Sequence, residues 1–292
     1  MAEQASKSLT ETSQSPPLDR LSVGRRLVDL PWWFVGIVIV IVWAGVTIAT
    51  RPNFNEAFRW IKAGILVTLA TSLVAYVLAI GLGLLTGLGR MSRNVFVRNF
   101  ARMYVEIVRG IPMLVLIFFI ALVGLPLVID ALHSLGEWFA SIGLTAIANL
   151  LSGLENAAVP MVARAVIALA VTYGAFLAEV FRAGIQSIGR GQMEAARSLG
   201  MGYGQAMRHI ILPQAIRNIL PALGNDFVSM VKDSSLVSLL AVRDMTQISR
   251  LYAGSTFRYK EAFITLSVLY LTMTVILSLG VQAFERRLRK HE

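Results

Sequence analysis

The sequence predicts an all-α polytopic membrane protein with about six transmembrane helices, and three observations carry that expectation. Hydrophobic residues make up 56% of the 292 and charged residues only 15%, whereas a soluble domain carries about 25% charged residues. Mean hydropathy is +0.67. Apolar runs long enough to cross a hydrocarbon core of about 30 Å recur along the chain. The arginines gather at alternate ends of those runs, as membrane orientation by positive charge requires.

Taken in order, residues 1–30 read as a polar cytoplasmic tail, rich in Ser, Thr, Gln and Glu up to Leu18 and carrying Pro16-Pro17. The apolar run after Arg25-Arg26 is long enough to span, and no small-residue cleavage pattern follows it, so a signal peptide is not expected. Residues 31–60 hold a first, accessory span, Trp32 to Thr50, and an outer loop. The transmembrane core is expected over residues 61–285. Its apolar runs are Ile61 to Leu88, Met103 to Ile129, Val159 to Ile188, Ile219 to about Leu240, and Ala262 to Phe284. Residues 286–292 form a basic tail.

Charge orients these runs. Arg25 and Arg26 precede the first, Arg90 to Arg102 follow the second, Arg190 to Arg217 follow the fourth, and Arg286 to Lys290 end the chain. All four segments, and both termini, are expected on the cytoplasmic side. The connection from Asp130 to Ala158 has acidic residues but no lysine or arginine, as an outer loop should. Leu132, Leu135, Trp138, Phe139 and Ile142 recur within it at helical intervals, which suits either an interfacial helix or a short packing helix. Lys232, Arg243, Arg250, Arg258 and Lys260 depart from the rule, since they fall on the expected outer side.

The same composition excludes several classes. A formal charge of +10 could suit nucleic acid, but the arginines flank apolar runs and do not interleave with exposed aromatics. Without cysteine there is no disulfide, thiolate metal site or cysteine nucleophile, and His133, His209 and His291 are too dispersed to pair on a metal. No lysine follows a glycine, so no Walker A loop is present. No metal, cofactor or catalytic residue is expected.

One polar island interrupts the apolar pattern between residues 189 and 217. Gln192 to Ser198 are good helix formers, and Ala195-Ala196 offers a face without bulk that another protein could approach closely. Gly200 to Gly204 then break the helix, because glycine tolerates the positive φ of a helix end. A second short helix can begin near Gln205, and Pro213 suits the first turn of the next element.

Glu194, Ala195, Ala196 and Gly200, followed by Ile210, Leu212 and Pro213, resemble the EAA coupling loop of membrane subunits in bacterial ABC importers. Further elements are similar to the polar amino-acid permease family. Glu106, Arg109, Gly110 and Pro112 match its Glu-x-x-Arg-Gly-Thr-Pro signature, with Ile111 in the threonine position. Glu179, Arg182 and Gly184 match Ala-Glu-x-x-Arg-x-Gly, and Lys232, Asp233 and Ser234 match Lys-Asp-Thr-Ser-Leu with serine for threonine. The resemblance implies the type I, MetI-like permease fold and an import subunit without chemistry of its own. It further implies a separate ABC ATPase docking on the coupling loop, a second permease subunit (a copy or a paralogue), a solute-binding protein, and a polar amino acid as substrate. Surrounding lipid is the other partner, and nucleic acid is not one. The alternatives are a permease for another small polar solute, or an ATP-independent carrier or channel.

Polar residues inside spans are the candidates for the pathway or gate. Glu106 with Arg109 and Glu179 with Arg182 are spaced i, i+3, so each pair is expected to neutralise itself on one helix turn, with an inner gate as the alternative role. Asn225, Asp226, Lys232, Asp233 and Ser234 could offer an amino acid opposite charges and hydroxyls in place of water, while Lys232-Asp233 reads equally as an interface anchor. Tyr173 is expected to pack, and Gly83 and Gly87 to permit close helix contact.

Overall fold

The computed structural model describes residues 32–153 and 155–289. The tail expected over residues 1–30 lies outside these residues. The chain divides between Trp43 and Ala44, within the first helix, α1 (Trp32–Thr50), whose mean hydropathy of 2.3 suits a span.

The larger unit is helical. A short α2 (Pro52–Ile61) leads through a tight turn into the long α3 (Ile65–Arg90). An amphipathic α4 (Val95–Gly110) follows, capped by Asn94, whose side-chain oxygen accepts the N–H groups of Phe96 and Val97. Then come α5 (Met113–Phe119), α6 (Leu125–Ser141), α7 (Thr145–Ser152) and α8 (Met161–Gln186). The chain ends with α9 (Arg190–Ser198), α10 (Tyr203–Ala206), α11 (Leu212–Asp233), α12 (Met245–Thr256) and α13 (Tyr259–Arg289).

Among the described residues, five helical stretches are long and apolar enough to cross a membrane: Trp32–Thr50, Pro52–Arg90, Met113–Ser141, Met161–Gln186 and Tyr259–Arg287. Against about six expected spans, the run from Ile219 to Leu240 has no counterpart among these five. It is α-helical in α11 to Asp233 and then tightens into a 3₁₀ segment, Ser234–Leu240. Asn225, Asp226, Lys232 and Asp233 lower its hydropathy, and Pro221 inside the helix removes one backbone donor. The run from Met103 to Ile129 is also not one span. Ile111 and Pro112 are extended and separate α4 from α5, because a residue before proline avoids the helical region. The crossing element, Met113–Ser141, then continues past Ile129 for a total of 29 residues. At 1.5 Å per residue it is about 43 Å long, which exceeds the hydrocarbon core. Its end turns at Gly143, φ +83°, and α7 folds back against Gly136. The expected outer connection is therefore a helical hairpin.

Two five-residue π segments sit inside these rods, Ile120–Gly124 and Met207–Ile211, each ending two residues before a proline, Pro126 and Pro213. A proline ring collides with the carbonyl four residues back, and a π-turn moves that carbonyl aside. In the first segment the Leu125 N–H donates to Ile120 O. Pro126, next in that register, has no N–H for Ala121 O. Arg164, only 7% exposed, supplies it through Nη1 at 3.1 Å. Its remaining donors reach Val159 O at 3.1 Å and both oxygens of Asn156 at 2.6 Å. This buried guanidinium thus fastens the start of α8 to the π segment without a carboxylate among the described residues.

The main core lies between α3, α8 and α11 around Ala75, Ala79, Leu169, Leu177, Ile219 and Met230. Contacts of α3 with α8 run in parallel: a Cβ at Gly83 would meet Leu177 Cβ at 2.7 Å, and one at Gly87 would meet Ala178 O at 2.9 Å. Small residues thus allow two backbones to touch, the role expected for both glycines. The parallel arrangement brings the C-terminal ends of α3 and α8 to the same end of the bundle.

Candidate coupling segment and polar interior

The segment after α8 is built as the sequence suggests, with one difference. Helix α9 carries Glu194, Ala195 and Ala196, and Gly200 closes it at φ +81°. Gly200 N–H donates to Arg197 O at 3.0 Å and Met201 N–H to Ala196 O at 3.1 Å. This pair of bonds is a Schellman motif, and it needs a left-handed residue at Gly200. The two alanines do not share one free face. Adjacent helical residues point about 100° apart, so Ala196 is buried while Glu194 and Ala195 stay exposed. Leu199 and Tyr203, which the sequence did not single out, expose large apolar side chains beside them. Gly202 N–H donates to Gln205 Oε1 at 3.0 Å and starts α10. The rod then runs without a break through the π segment into α11, carrying half-buried Ile210 and exposed Leu212 and Pro213.

At the same end of α8, one carboxylate gathers three guanidiniums. Glu179 accepts from Arg90 at 2.5 Å, from Arg182 at 2.7 Å and, more weakly, from Arg109 at 3.4 Å. The i, i+3 pair of Glu179 with Arg182 forms as expected, and Arg182 extends it to Gln186 Oε1 at 2.5 Å. The second expected pair does not form: Arg109 leaves Glu106, which is exposed, for Glu179, and lies 5.7 Å from the centroid of the Phe176 ring. Arg90, at the end of an apolar run, reads in sequence only as an orienting charge. Its position opposite Glu179 depends on the α3–α8 register.

Deeper in the bundle, Tyr173 donates to Asp233 Oδ2 at 2.6 Å, joining α8 to the last turn of α11. Tyr76 of α3 donates to Leu223 O and packs its ring 5.1 Å from that of Phe227. Half-buried Asp226 lies close enough to both phenols to act on them electrostatically. Lys232 is exposed, whereas Asp233 turns inward to Tyr173. Ser234 is buried and donates to Val231 O at 2.8 Å, while Asn225 is exposed and returns its amide to Pro221 O at 3.1 Å. Tyr76 was not legible as a site residue, since one tyrosine in an apolar run carries no pattern.

Elsewhere, Asp244 caps α12 by accepting the Gln247 N–H at 2.8 Å, and burial holds its carboxyl above the usual carboxylate range. Arg258 pairs with Glu56 of α2 at 2.5 Å. That ion pair neutralises one of the basic residues whose position departed from the charge rule.

The helices long enough to span, the polar interior and the exposed helix–turn–helix between two long helices suit a transport subunit of the permease type. Residues 79–290 match the family of binding-protein-dependent transport system inner membrane components, and the chain belongs to that family. It is 37% identical over 235 residues to the "Probable glutamine ABC transporter permease protein GlnM" of Bacillus subtilis, covering 80% of this chain and 96% of that protein. It is 33% identical over 270 residues to the "Arginine transport system permease protein ArgU" of Corynebacterium glutamicum, covering 88% of this chain and 80% of the relative. Among solved structures, a crystal structure of an amino acid ABC transporter with histidines superposes with a TM-score of 0.64 at 34% identity, covering 78% of this chain and 94% of the other. The inward-facing MetNI methionine ABC transporter superposes with a TM-score of 0.59 at 18% identity, covering 78% and 96%, and supports the fold alone. Family membership makes this an inner-membrane ABC permease that works with an ATPase and a solute-binding protein.

Proposed function

We propose that the chain carries polar amino acids across the inner membrane, has no chemistry of its own, and takes the ATPase's movement through the segment 189–217. The observation that supports this most directly is the succession along α8. Its C-terminal end carries the Glu179 cluster and leads straight into α9, where Glu194, Ala195 and Leu199 lie exposed. A force on α9 therefore acts on the helix that contributes Tyr173 to the interior. The gate is the Glu179 cluster with Arg109 and Arg182, and exposed Glu106 borders it.

The pathway is assigned to Tyr76, Tyr173, Asp226 and Asp233, with Asn225, Lys232 and Ser234 alongside. Carboxylates and phenols offer a substrate ammonium partners, and hydroxyls replace water without holding it tightly. The amino-acid class rests on relatives named for glutamine and arginine transport. Both termini are assigned to the cytoplasm from the arginine distribution, with residues 61–285 as the transport core, 31–60 as an accessory helix, and a second permease subunit completing the pathway.

The test is to purify the tagged chain gently from its membrane and identify what accompanies it by mass spectrometry, then to measure amino-acid uptake by the reconstituted complex. A stoichiometric ATP-binding subunit that is lost when Glu194 and Gly200 are replaced, with ATP-dependent uptake of glutamine or arginine, is the expected result. A chain that purifies alone and transports in liposomes without ATP overturns the reading.

A further inference from the structure

Helix α4 does not fit a purely structural role. Its buried side carries Ala101, Val105 and Val108. At 100° per residue a second apolar arc adjoins that side, and there Phe96 is 87% exposed, Phe100 is 70% exposed, and Met103 and Ile107 are more than half exposed. The opposite arc carries Arg98 and Arg102, and Arg93 lies just before the helix cap. All three arginines are exposed, and none has a carboxylate within ion-pair distance among the described residues. Between α3 and α4 lies a cavity of about 560 Å³, walled by Leu82, Leu85, Phe96, Phe100 and Tyr104. Its volume is typical of a small-ligand site, and its walls are almost wholly apolar.

We propose that α4 and the groove between it and α3 hold an anionic phospholipid, so that the surface charge of the membrane bears on the Glu179 cluster. An acyl chain suits the groove and a phosphate headgroup suits the arginines, which is the division of an interfacial amphipathic helix. A second copy of the chain on the apolar arc is the competing occupant, and cross-linking at Phe100 distinguishes it from lipid. The lipid would be felt at the cluster through α4 itself. Tyr104, a wall of the groove, donates to Val171 O of α8 at 2.5 Å, and Arg109 in the last turn of α4 reaches Glu179 at 3.4 Å.

The inference uses the membrane reading of the chain, and its first measurement does not depend on amino-acid transport. The chain, purified with whatever accompanies it, is titrated in detergent with phosphatidylglycerol or phosphatidylcholine of the same acyl composition, and retained lipid is read by native mass spectrometry. Preferential retention of phosphatidylglycerol is expected. R98Q/R102Q should weaken it about thirtyfold, at about fivefold for each arginine near an anionic surface, while R98K/R102K retains it. Because the chain has no cysteine, a single Phe100→Cys carrying a spin label reports the surroundings of the groove without background. In liposomes it should show lipid contact, and phosphatidylglycerol should stimulate uptake in wild type more than in R98Q/R102Q. Equal retention of the two lipids, retention unchanged in R98Q/R102Q, or quantitative disulfide cross-linking of Phe100→Cys to a second copy overturns the proposal.

Discussion

Replacing Glu179 by glutamine tests how charge is held at the end of the bundle. The substitution keeps the shape and removes the negative charge that Arg90, Arg109 and Arg182 share. The Arg90 contact dominates, since it is short at 2.5 Å and its side chains are only 10% and 23% exposed. A hydrogen bond to a charged partner in that setting contributes about 1.5–3 kcal/mol. The Arg182 pair is one-third exposed and local, so it adds about 0.3–0.5 kcal/mol, and the 3.4 Å contact to half-exposed Arg109 adds less than about 1 kcal/mol. Repulsion among the three stranded guanidiniums pushes the same way, so Glu179→Gln should cost about 2–4 kcal/mol. For a chain of 292 residues, at about 2.1 cal/mol/K of unfolding entropy per residue, that is a fall in Tm of about 3–7 °C. The five tryptophans allow unfolding in detergent to be followed by intrinsic fluorescence. Arg90→Gln should reproduce most of the loss, Arg109→Gln little of it, and the double variant Glu179→Gln/Arg90→Gln should be less destabilised than the two singles added together. The reasoning fails if Glu179→Gln leaves Tm unchanged, or if Arg109→Gln costs as much as Arg90→Gln.

Other perturbations probe separate links. Gly87→Val should separate α3 from α8 and cost about 1–3 kcal/mol in the same unfolding assay, because the new Cβ would meet Ala178 O at 2.9 Å; wild-type Tm would disprove the close contact. Arg164→Met should lower Tm by stranding Ala121 O, Val159 O and Asn156 Oδ1, at about 1–3 kcal/mol for each acceptor that water does not reach; Arg164→Lys should rescue only part, and full rescue would mean that charge matters more than the fork of donors. Gly200→Val should cost little in insertion but reduce uptake for each ATP hydrolysed, because φ +81° strains a β-branched residue and reshapes the end of α9; normal coupling in that variant would remove the coupling role from this turn. At Asp244, burial raises the folded carboxyl's pKa, so the folded state holds its proton more tightly than the unfolded one. Stability from this group is present below an ordinary carboxylate value near 4 and is lost as pH rises through the raised value. Asp244→Asn keeps the acceptor for Gln247 N–H, so its Tm relative to wild type should climb with pH over that window, and a pH-independent difference would refute the assignment.

The features legible in the sequence are those set by local pattern. Hydropathy finds α1, α8 and α13 because their apolar runs are continuous, and the helical residues before Gly200 forecast the left-handed closure of α9. The break at Pro112 was also written in the chain, since Ile111 precedes a proline, but the count of apolar residues between Met103 and Ile129 outweighed it. Helix α11 lies in a run that also reads as a span, although its polar residues lower its hydropathy, and it packs beside α3 and α8 in the core through Ala215, Ile219 and Met230 on one side. What was hidden depended on register between distant segments. Spacing of i, i+3 finds Glu179 with Arg182, but no local rule brings Arg90 across 89 residues, or releases Arg109 from Glu106. Gly83 and Gly87 supply the missing step. By letting α3 touch α8 in parallel they set Arg90 level with Glu179, and the same register sets Tyr76 of α3 near Tyr173 of α8. The charged cluster and the polar interior are therefore two consequences of a single helix contact, so Gly87→Val should disturb both together, whereas Glu179→Gln should leave the hydrogen bond of Tyr173 to Asp233 in place.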